Sequence, residues 1–344
     1  MLESIYDDLF VGQISRLLVE GFGLPGCRKV ERMPSGLINE TYLADDVWVV
    51  QRVNGMFGPG VNEDIAHLVP ILRARGVCVP EYGMASGGGY AVEGRRFGLA
   101  EGGWRVMTKL PGKSVDKVDC VERIRALAAM MARFHRALDG VVYHFKNVRV
   151  GVHDFERHRA GLVRAMEEKR GHRLWKDVEG VWSKIAFLER YIKFDNILLC
   201  EDRRIVHGDL KVSNFLFEGN EVSGVIDMDT MTLSRVAFDV GDAIRSWCNP
   251  RTENEEPEFD AEWAREAMGV YLEEVGCLSR GERLSLADAA PFIALELSMR
   301  FARDALCEDY FGFDPEIGHG EHSLLRARNM ANLCEQMLGR DAMV

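Results

Sequence analysis

One stretch constrains this chain more than any other. His207-Gly208-Asp209-Leu210-Lys211-Val212-Ser213-Asn214 is followed by Phe215-Leu216-Phe217-Glu218-Gly219-Asn220-Glu221-Val222-Ser223 and then by Gly224-Val225-Ile226-Asp227. Two apolar runs flank a Gly-Asn turn signal, so 215–226 reads as a β-hairpin. Asp209 and Asn214 precede the hairpin and Asp227 follows it. Single Asp or Asn residues are ordinary in a polar turn. The whole order H-G-D-x-x-x-x-N, strand, turn, strand, Asp is rarely met by chance.

That set suits phosphoryl transfer. Such a reaction needs an acceptor placed in line and charge neutralised on the phosphates, with little covalent work for the protein. Asp209 would accept a hydrogen bond from an acceptor hydroxyl and take its proton late. Asn214 and Asp227 offer the hard oxygen ligands that suit Mg²⁺. Lys211 can reach a transferring phosphoryl group. Asp229 is a second metal neighbour if the segment after Asp227 is extended, because alternation then puts both carboxylates on one side. His207 reads as a packing and hydrogen-bonding residue of the loop. Asp239 and Asp242, at the start of a helix, read as supports for it.

Composition narrows the partners. A chain of 344 residues has room for two lobes, and 47% hydrophobic with 28% charged residues is a globular balance. The net charge of −11 shows no basic stripe, so no nucleic-acid partner is expected. The eight cysteines form no C-x-x-C pair and read as reduced, buried thiols of a cytoplasmic protein. The acidic start lacks a signal-peptide pattern, and no apolar run approaches the roughly 20 residues that span a bilayer, so no membrane partner is expected. The sequence leaves the oligomeric state unassigned.

The period of the apolar residues changes along the chain. Residues 2–20 read as an amphipathic helix. Strands follow at 30–33, 38–43 and 47–53, a helix at 62–75, two hairpin strands around Gly87-Gly88-Gly89, and a last strand at 104–110. Pro111-Gly112 marks a change. Beyond it, helices are expected at 119–138, 155–169, 181–199, 259–275, 287–309 and 322–338, with 215–226 as the β element of that half. The fold class expected is α+β, with residues 1–108 as a β-rich lobe over the nucleotide and 109–344 as a helical lobe carrying the catalytic loop and acceptor site.

A nucleotide site needs a cation on the phosphates and an acid to hold it. Arg52 on the third strand and Glu63 on the helix after it are the candidates. Ser35-Gly36-Leu37-Ile38-Asn39-Glu40-Thr41-Tyr42 would be the turn and strand covering the phosphates, with Asn39 among the nucleotide-binding residues.

These residues resemble the aminoglycoside phosphotransferase and choline kinase superfamily, whose fold is similar to that of protein kinases. The H-G-D-L-x-x-x-N and Ile226-Asp227 motifs carry the resemblance. A further likeness points to the N-acetylhexosamine 1-kinase-like branch. It rests on 36–42, Gln51-Arg52-Val53-Asn54, Trp104-Arg105-Val106, Arg133-Phe134-His135, Asp227-Met228-Asp229-Thr230, 239–245, Arg300-Phe301-Ala302-Arg303-Asp304 and Asp309-Tyr310-Phe311. The resemblance implies a protein-kinase-like bilobal fold, ATP and Mg²⁺, Asp209 as base, Asn214 and Asp227 as metal ligands and Arg52 on the phosphates. It implies a hinge from Met107 to Leu110 bonding the adenine, and Arg300 and Tyr310 near a sugar. Two positions depart from the pattern. Arg52 stands where the superfamily has Lys, and Gly208-Asp209-Leu210 is the wider superfamily's form where the branch often has Asn-Asp-Thr.

The expected activity is therefore transfer of the γ-phosphate of a nucleoside triphosphate to a hydroxyl of a small molecule, a sugar or amino sugar foremost. Aminoglycoside, choline-like and homoserine-type acceptors are alternatives within the class. A catalytically inactive nucleotide-binding regulator is the alternative outside it. A protein kinase is disfavoured: no Arg precedes Asp209, the segment from Asp227 to Asp239 is short for an activation loop, and no Ala-Pro-Glu follows.

Overall fold

The computed structural model describes residues 8–33, 39–148 and 151–339. The start of the first expected helix and the turn at 35–38 lie outside them. The chain forms two compact units. The first gathers the described residues up to Gly112 with Val142–Val148 and Ser223–Met231; the second holds Lys113–Val141, the described part of 149–222, and the described residues from Thr232 on.

The first unit is built on an antiparallel five-stranded sheet. Its strands are β1 (Val30–Arg32), β2 (Glu40–Ala44), β3 (Trp48–Arg52), β4 (Val92–Glu93) and β5 (Gly103–Thr108), in the order β1-β2-β3-β5-β4. One face packs on helix α1 (Asp8–Arg16) and the π-turn after it, where Ile14, Leu17 and Leu18 meet Tyr42, Ala44, Val50, Trp104 and Val106 in a dry cluster. Helix α2 (Gly60–Ala74) follows β3 and buries Val61, Ile65, Leu68 and Leu72, an i, i+3, i+4 stripe. Around the glycine triplet the chain makes a turn closed by Ala85 and Gly89. Tyr82 makes only a single bridge to Met107, so among the described residues one strand, β4, stands where two were expected. Gly88 and Gly89 have positive φ, which a strand does not accommodate.

The second unit is mainly helical. Helix α3 (Val121–Leu138) buries Ile124, Leu127, Ala128, Met131, Phe134 and Leu138, the face its sequence period predicts. Helices α4 (Phe155–Glu168), α5 (Trp175–Leu188) and short α6 (Phe194–Leu198) follow. The single helix expected over 181–199 is thus two, parted where Ile192 becomes extended. Helices α7 (Val236–Trp247), α8 (Ala261–Glu274), α9 (Arg280–Leu286), α10 (Ala289–Cys307) and α11 (His319–Leu338) complete the bundle, with α10 packed on α11, α7, α4 and α5. Short strands add to the expected hairpin. β6 (Lys113–Ser114) pairs with β8 (Phe215–Glu218), which precedes β9 (Glu221–Val225), and β7 (Arg204–Val206) pairs with β10 (Thr232–Ser234). No helix among the described residues is long and apolar enough to cross a membrane.

Candidate active site

In the helical unit, β7 delivers the chain to His207 and Asp209. Gly208 takes φ 82°, a conformation costly for any residue with a Cβ. The backbone N–H groups of His207 and Gly208 both donate to Asp239, each at 2.7 Å. Asp239 is buried, and His135 Nε2 lies 3.0 Å from its carboxylate. Burial opposes its charge, yet His135, His207 and the amide donors hold its pKa below the ordinary carboxylate value. Helix α7 grips the loop twice more. Trp247 Nε1 donates to the Leu210 carbonyl at 2.9 Å, and Ser246 Oγ accepts from Val212 N–H at 3.0 Å. His207 is fully buried against the Phe134 ring, the packing role expected of it.

This frame leaves the Asp209 side chain 22% exposed. Lys211 Nζ donates to its Oδ2 at 2.8 Å. Asn214 Nδ2 donates to the Asp209 carbonyl at 2.7 Å and to Oδ2 at 3.1 Å. With the amide nitrogen so used, Oδ1 is the Asn214 atom suited to a cation. Burial pushes the Asp209 carboxyl up, but Lys211, His207 and Arg245 outweigh it and hold its pKa below the ordinary carboxylate value. Asp242 pairs with Arg245 at 2.7 Å. Burial raises its pKa despite that cation, and the nearby Asp209 charge adds to the rise.

In the sheet unit, β9 leads to Asp227. Gly224 lets the chain pass close to Leu110, whose Cδ1 would lie 2.6 Å from a Cβ there. Asp227 itself has φ 65°, uncommon for a non-glycine residue and typical of functional turns. The chain then makes a 3-10 turn at Met228–Thr230 instead of running extended. Asp229 is accordingly directed into the sheet unit, where the side chains of Arg105 and Asp229 are 1% and 0% exposed. Arg105 donates to both Asp229 oxygens at 2.5 and 2.8 Å, and Asn39 Nδ2 donates to Oδ2 at 2.7 Å. Both Asp229 oxygens are thus engaged by Arg105 and Asn39, and the segment is a turn where an extended run would have put Asp229 on the side of Asp227. Arg105 is held in turn by Gln51 Oε1 at 2.7 and 3.0 Å, by Asn62 at 3.3 Å and over the Tyr82 ring. Burial works against its charge, and Asp229 with Asp227 more than restores it, raising its pKa.

The Arg52 and Glu63 expected to serve a nucleotide are not paired with each other. Arg52 lies opposite Trp104 and shares the face of Val50, away from Gln51 and Arg105, and binds Glu40 at 2.5 Å. Glu63 pairs with Lys146. Asn39 serves Asp229 and the Asn54 N–H. Met107, in β5, and Leu110 just beyond it are both buried in the sheet unit.

In the helical unit, Arg300 lies over the rings of Tyr310 and Phe311, so the structure brings together the two residues expected near an acceptor. Sequence reasoning missed their neighbour Glu296. It is fully buried, 3.1 Å from His153 Nδ1 and 3.8 Å from Arg300, and its Oε2 has no partner among the described residues. Its position on the helix one turn before Arg300 was the available signal. His153 also lies 4.5 Å from the Phe238 ring, on the helix that carries Asp239.

Comparison with known proteins agrees with this chemistry. A family model described as a phosphotransferase enzyme family matches residues 29–273. A homoserine kinase from Methylocella silvestris is 32% identical over 115 residues, 33% of this chain; the match spans about a third of that relative's length, 32%. Among solved structures, the amicoumacin kinase hAmiN in complex with AMP-PNP, Ca²⁺ and Ami has a TM-score of 0.58 at 15% identity, covering 98% of this chain and 95% of its own. The GDP complex of wild-type aminoglycoside 2'-phosphotransferase-IIIa gives 0.57 at 15%, covering 97% and 99%. An aminoglycoside phosphotransferase from Alicyclobacillus acidocaldarius gives 0.54 at 14%, covering 90% of each chain. At these identities the likeness shows the fold, which is protein-kinase-like.

Proposed function

We propose, from the premise that this chain belongs to the phosphotransferase enzyme family, that it transfers the γ-phosphoryl group of ATP to a hydroxyl of a sugar or amino sugar, as an N-acetylhexosamine 1-kinase-like enzyme would. The observation that carries the reading is Asp209. It is a partly exposed, ionised carboxylate fixed by Lys211 and Asn214 on a loop that α7 holds at three points. In this reading Asp209 orients the acceptor hydroxyl and accepts its proton, and Lys211 turns from Asp209 to the phosphoryl group as charge develops there.

The Asn214 carbonyl oxygen and the Asp227 carboxylate are hard donors that fit Mg²⁺. Magnesium held by donors of this kind would neutralise the phosphates of the nucleotide. The acceptor reading draws on Glu296 and Arg300. The Glu296 side chain, 1% exposed, lies behind Arg300 and balances its charge, leaving the guanidinium to donate to a hydroxyl. Such a near-neutral pair favours an uncharged polyol over a polycation. A homoserine-type acceptor is the second reading, favoured by the homoserine kinase match.

ATP consumption measured with N-acetylglucosamine, N-acetylgalactosamine, homoserine, amino alcohols and an aminoglycoside tests this. Turnover with a hexosamine and none without it supports the first reading, with Arg300→Gln expected to raise KM about tenfold or more, the cost of one hydrogen bond to a charged group, and to leave kcat near wild type. Turnover with homoserine alone transfers the assignment to the second reading. Nucleotide binding without turnover across the panel overturns both.

A further inference from the structure

A buried arginine inside a strand needs an explanation, because a charge sealed from water is costly unless it is paired and hydrogen-bonded. Arg105 sits in mid-β5 with Trp104 and Val106 buried on either side in sequence. Its guanidinium meets four groups from separate parts of the sheet unit: Asp229 after β9, Gln51 on β3, Asn62 on α2 and the Tyr82 ring. Asn39, at the start of β2, closes the ring by donating to Asp229 while accepting from Asn54. Arg105 and Asn39 thus bind the Asp229 carboxylate directly, and Gln51, Asn62 and Tyr82 hold Arg105 in place; Asp229 stands two residues from an Asp held in left-handed backbone. Asp227 caps the 3-10 turn that contains Asp229, with only Met228 between them, so fixing Asp229 fixes the peptide planes that aim Asp227.

We propose that Arg105 is a positioning residue: through Asp229 it locks the turn that presents Asp227 to the magnesium of a bound nucleotide. The proposal rests on the metal-nucleotide reading of Asp227 given above. It gives Arg105 no contact with the phosphates, which its side-chain exposure of 1% disfavours. It also explains why Arg52 can face the opposite side of the sheet: the central cation of the inner face comes from the neighbouring strand and is used on the turn.

The test compares wild type with Arg105→Gln, Arg105→Lys and Asp229→Asn in the full chain. ADP binding is measured by calorimetry with and without Mg²⁺, and amide hydrogen exchange is followed at 223–231 in the nucleotide-free protein. Wild type is expected to bind ADP more tightly with Mg²⁺. Arg105→Gln and Asp229→Asn are expected to need about 10- to 100-fold more Mg²⁺ for the same gain, the range for removing a supporting partner of a metal ligand. Metal-free ADP affinity is expected to hold within about twofold, a margin well below the tenfold that 1.4 kcal/mol represents. Arg105→Lys is expected to recover only part, since one ammonium cannot reproduce a bidentate fork. Faster exchange at 223–231 is expected in the Gln variant, and Asn39→Ala supplies the same readouts if that variant does not fold. Unchanged Mg²⁺ dependence in a folded variant overturns the proposal. An equal loss of metal-free ADP affinity also overturns it, because Arg105 would then touch phosphate. A wild type that binds no nucleotide overturns the functional reading, while the exchange data still decide whether Arg105 locks the turn.

Discussion

Each unit holds an Asp beside a cation, and the two pairs live in opposite surroundings. In the sheet unit the Asp229 and Arg105 side chains are 0% and 1% exposed; in the helical unit Asp209 and Lys211 are 22% and 38% exposed. A buried pair cannot part without leaving an uncompensated charge, so it holds one geometry. A water-accessible pair is worth about 1 kcal/mol or less, so Lys211 can leave Asp209 when a better anion arrives. Burial therefore divides the labour, with fixed geometry on one side and exchangeable chemistry on the other.

The strongest way to break that comparison is to remove one buried charge. Arg105→Met is expected to cost about 3–5 kcal/mol of unfolding free energy, read from urea denaturation, because Asp229 is left alone. A midpoint equal to wild type would show that water reaches the pair and would end the contrast. Asp209→Asn is expected to behave in the opposite sense. Its urea midpoint should stay near wild type while kcat falls at least about 10²-fold, roughly 2.7 kcal/mol of transition-state stabilisation. A matching loss of stability would make Asp209 structural.

Gly208→Ala sharpens the contrast by disturbing the frame and no charge. Forcing alanine to φ 82° is expected to cost about 1–2 kcal/mol in the same denaturation experiment. A loss of activity should accompany it, because the N–H of Gly208 and that of His207 just before it bind Asp239.

The smallest effect is the response to acid. Asp209 and Asp239 both titrate below their ordinary value of 3.8 in the folded protein. Folded-state values below unfolded ones stabilise the fold above that value and cease to do so as pH falls through the folded ones. Their contribution should be constant from about pH 8 to pH 5 and be lost below about pH 4. Urea midpoints measured across that range check it. A fall already beginning near pH 6 would mean that histidine ionisation dominates.

What could be read from sequence follows the same division. The loop from His207 to Asn214 is contiguous, so one motif set Asp209, Lys211 and Asn214 side by side, while Asp239, which holds the loop, had to be found separately at the start of a helix. The buried lock is assembled from positions 39, 51, 62, 105 and 229, which no local pattern joins. The face of Arg52 was equally hidden. Trp48, Val49 and Val50 are all apolar, so the strand shows no alternation from which to tell its two sides. The lone arginine in Trp104-Arg105-Val106 was the visible sign of a buried partner. Helix α9 escaped although Ser279 and Glu282 form a capping box, a signature legible in the sequence. Strands β7 and β10, three residues each, are too short to display a period. The helical faces were legible because long stripes such as that of α3 repeat often enough to be seen.

The separation of 124 positions between Arg105 and Asp229 has a consequence for biosynthesis. A ribosome adding about 5–20 residues per second leaves the arginine waiting roughly 6–25 s for its carboxylate to be made. Until then Arg105 has the neutral acceptors Gln51 and Asn62 but no carboxylate to balance its charge. Closure of the pair is timed by translation of a segment encoded far downstream, and a chain that ends before residue 229 leaves Arg105 without its carboxylate.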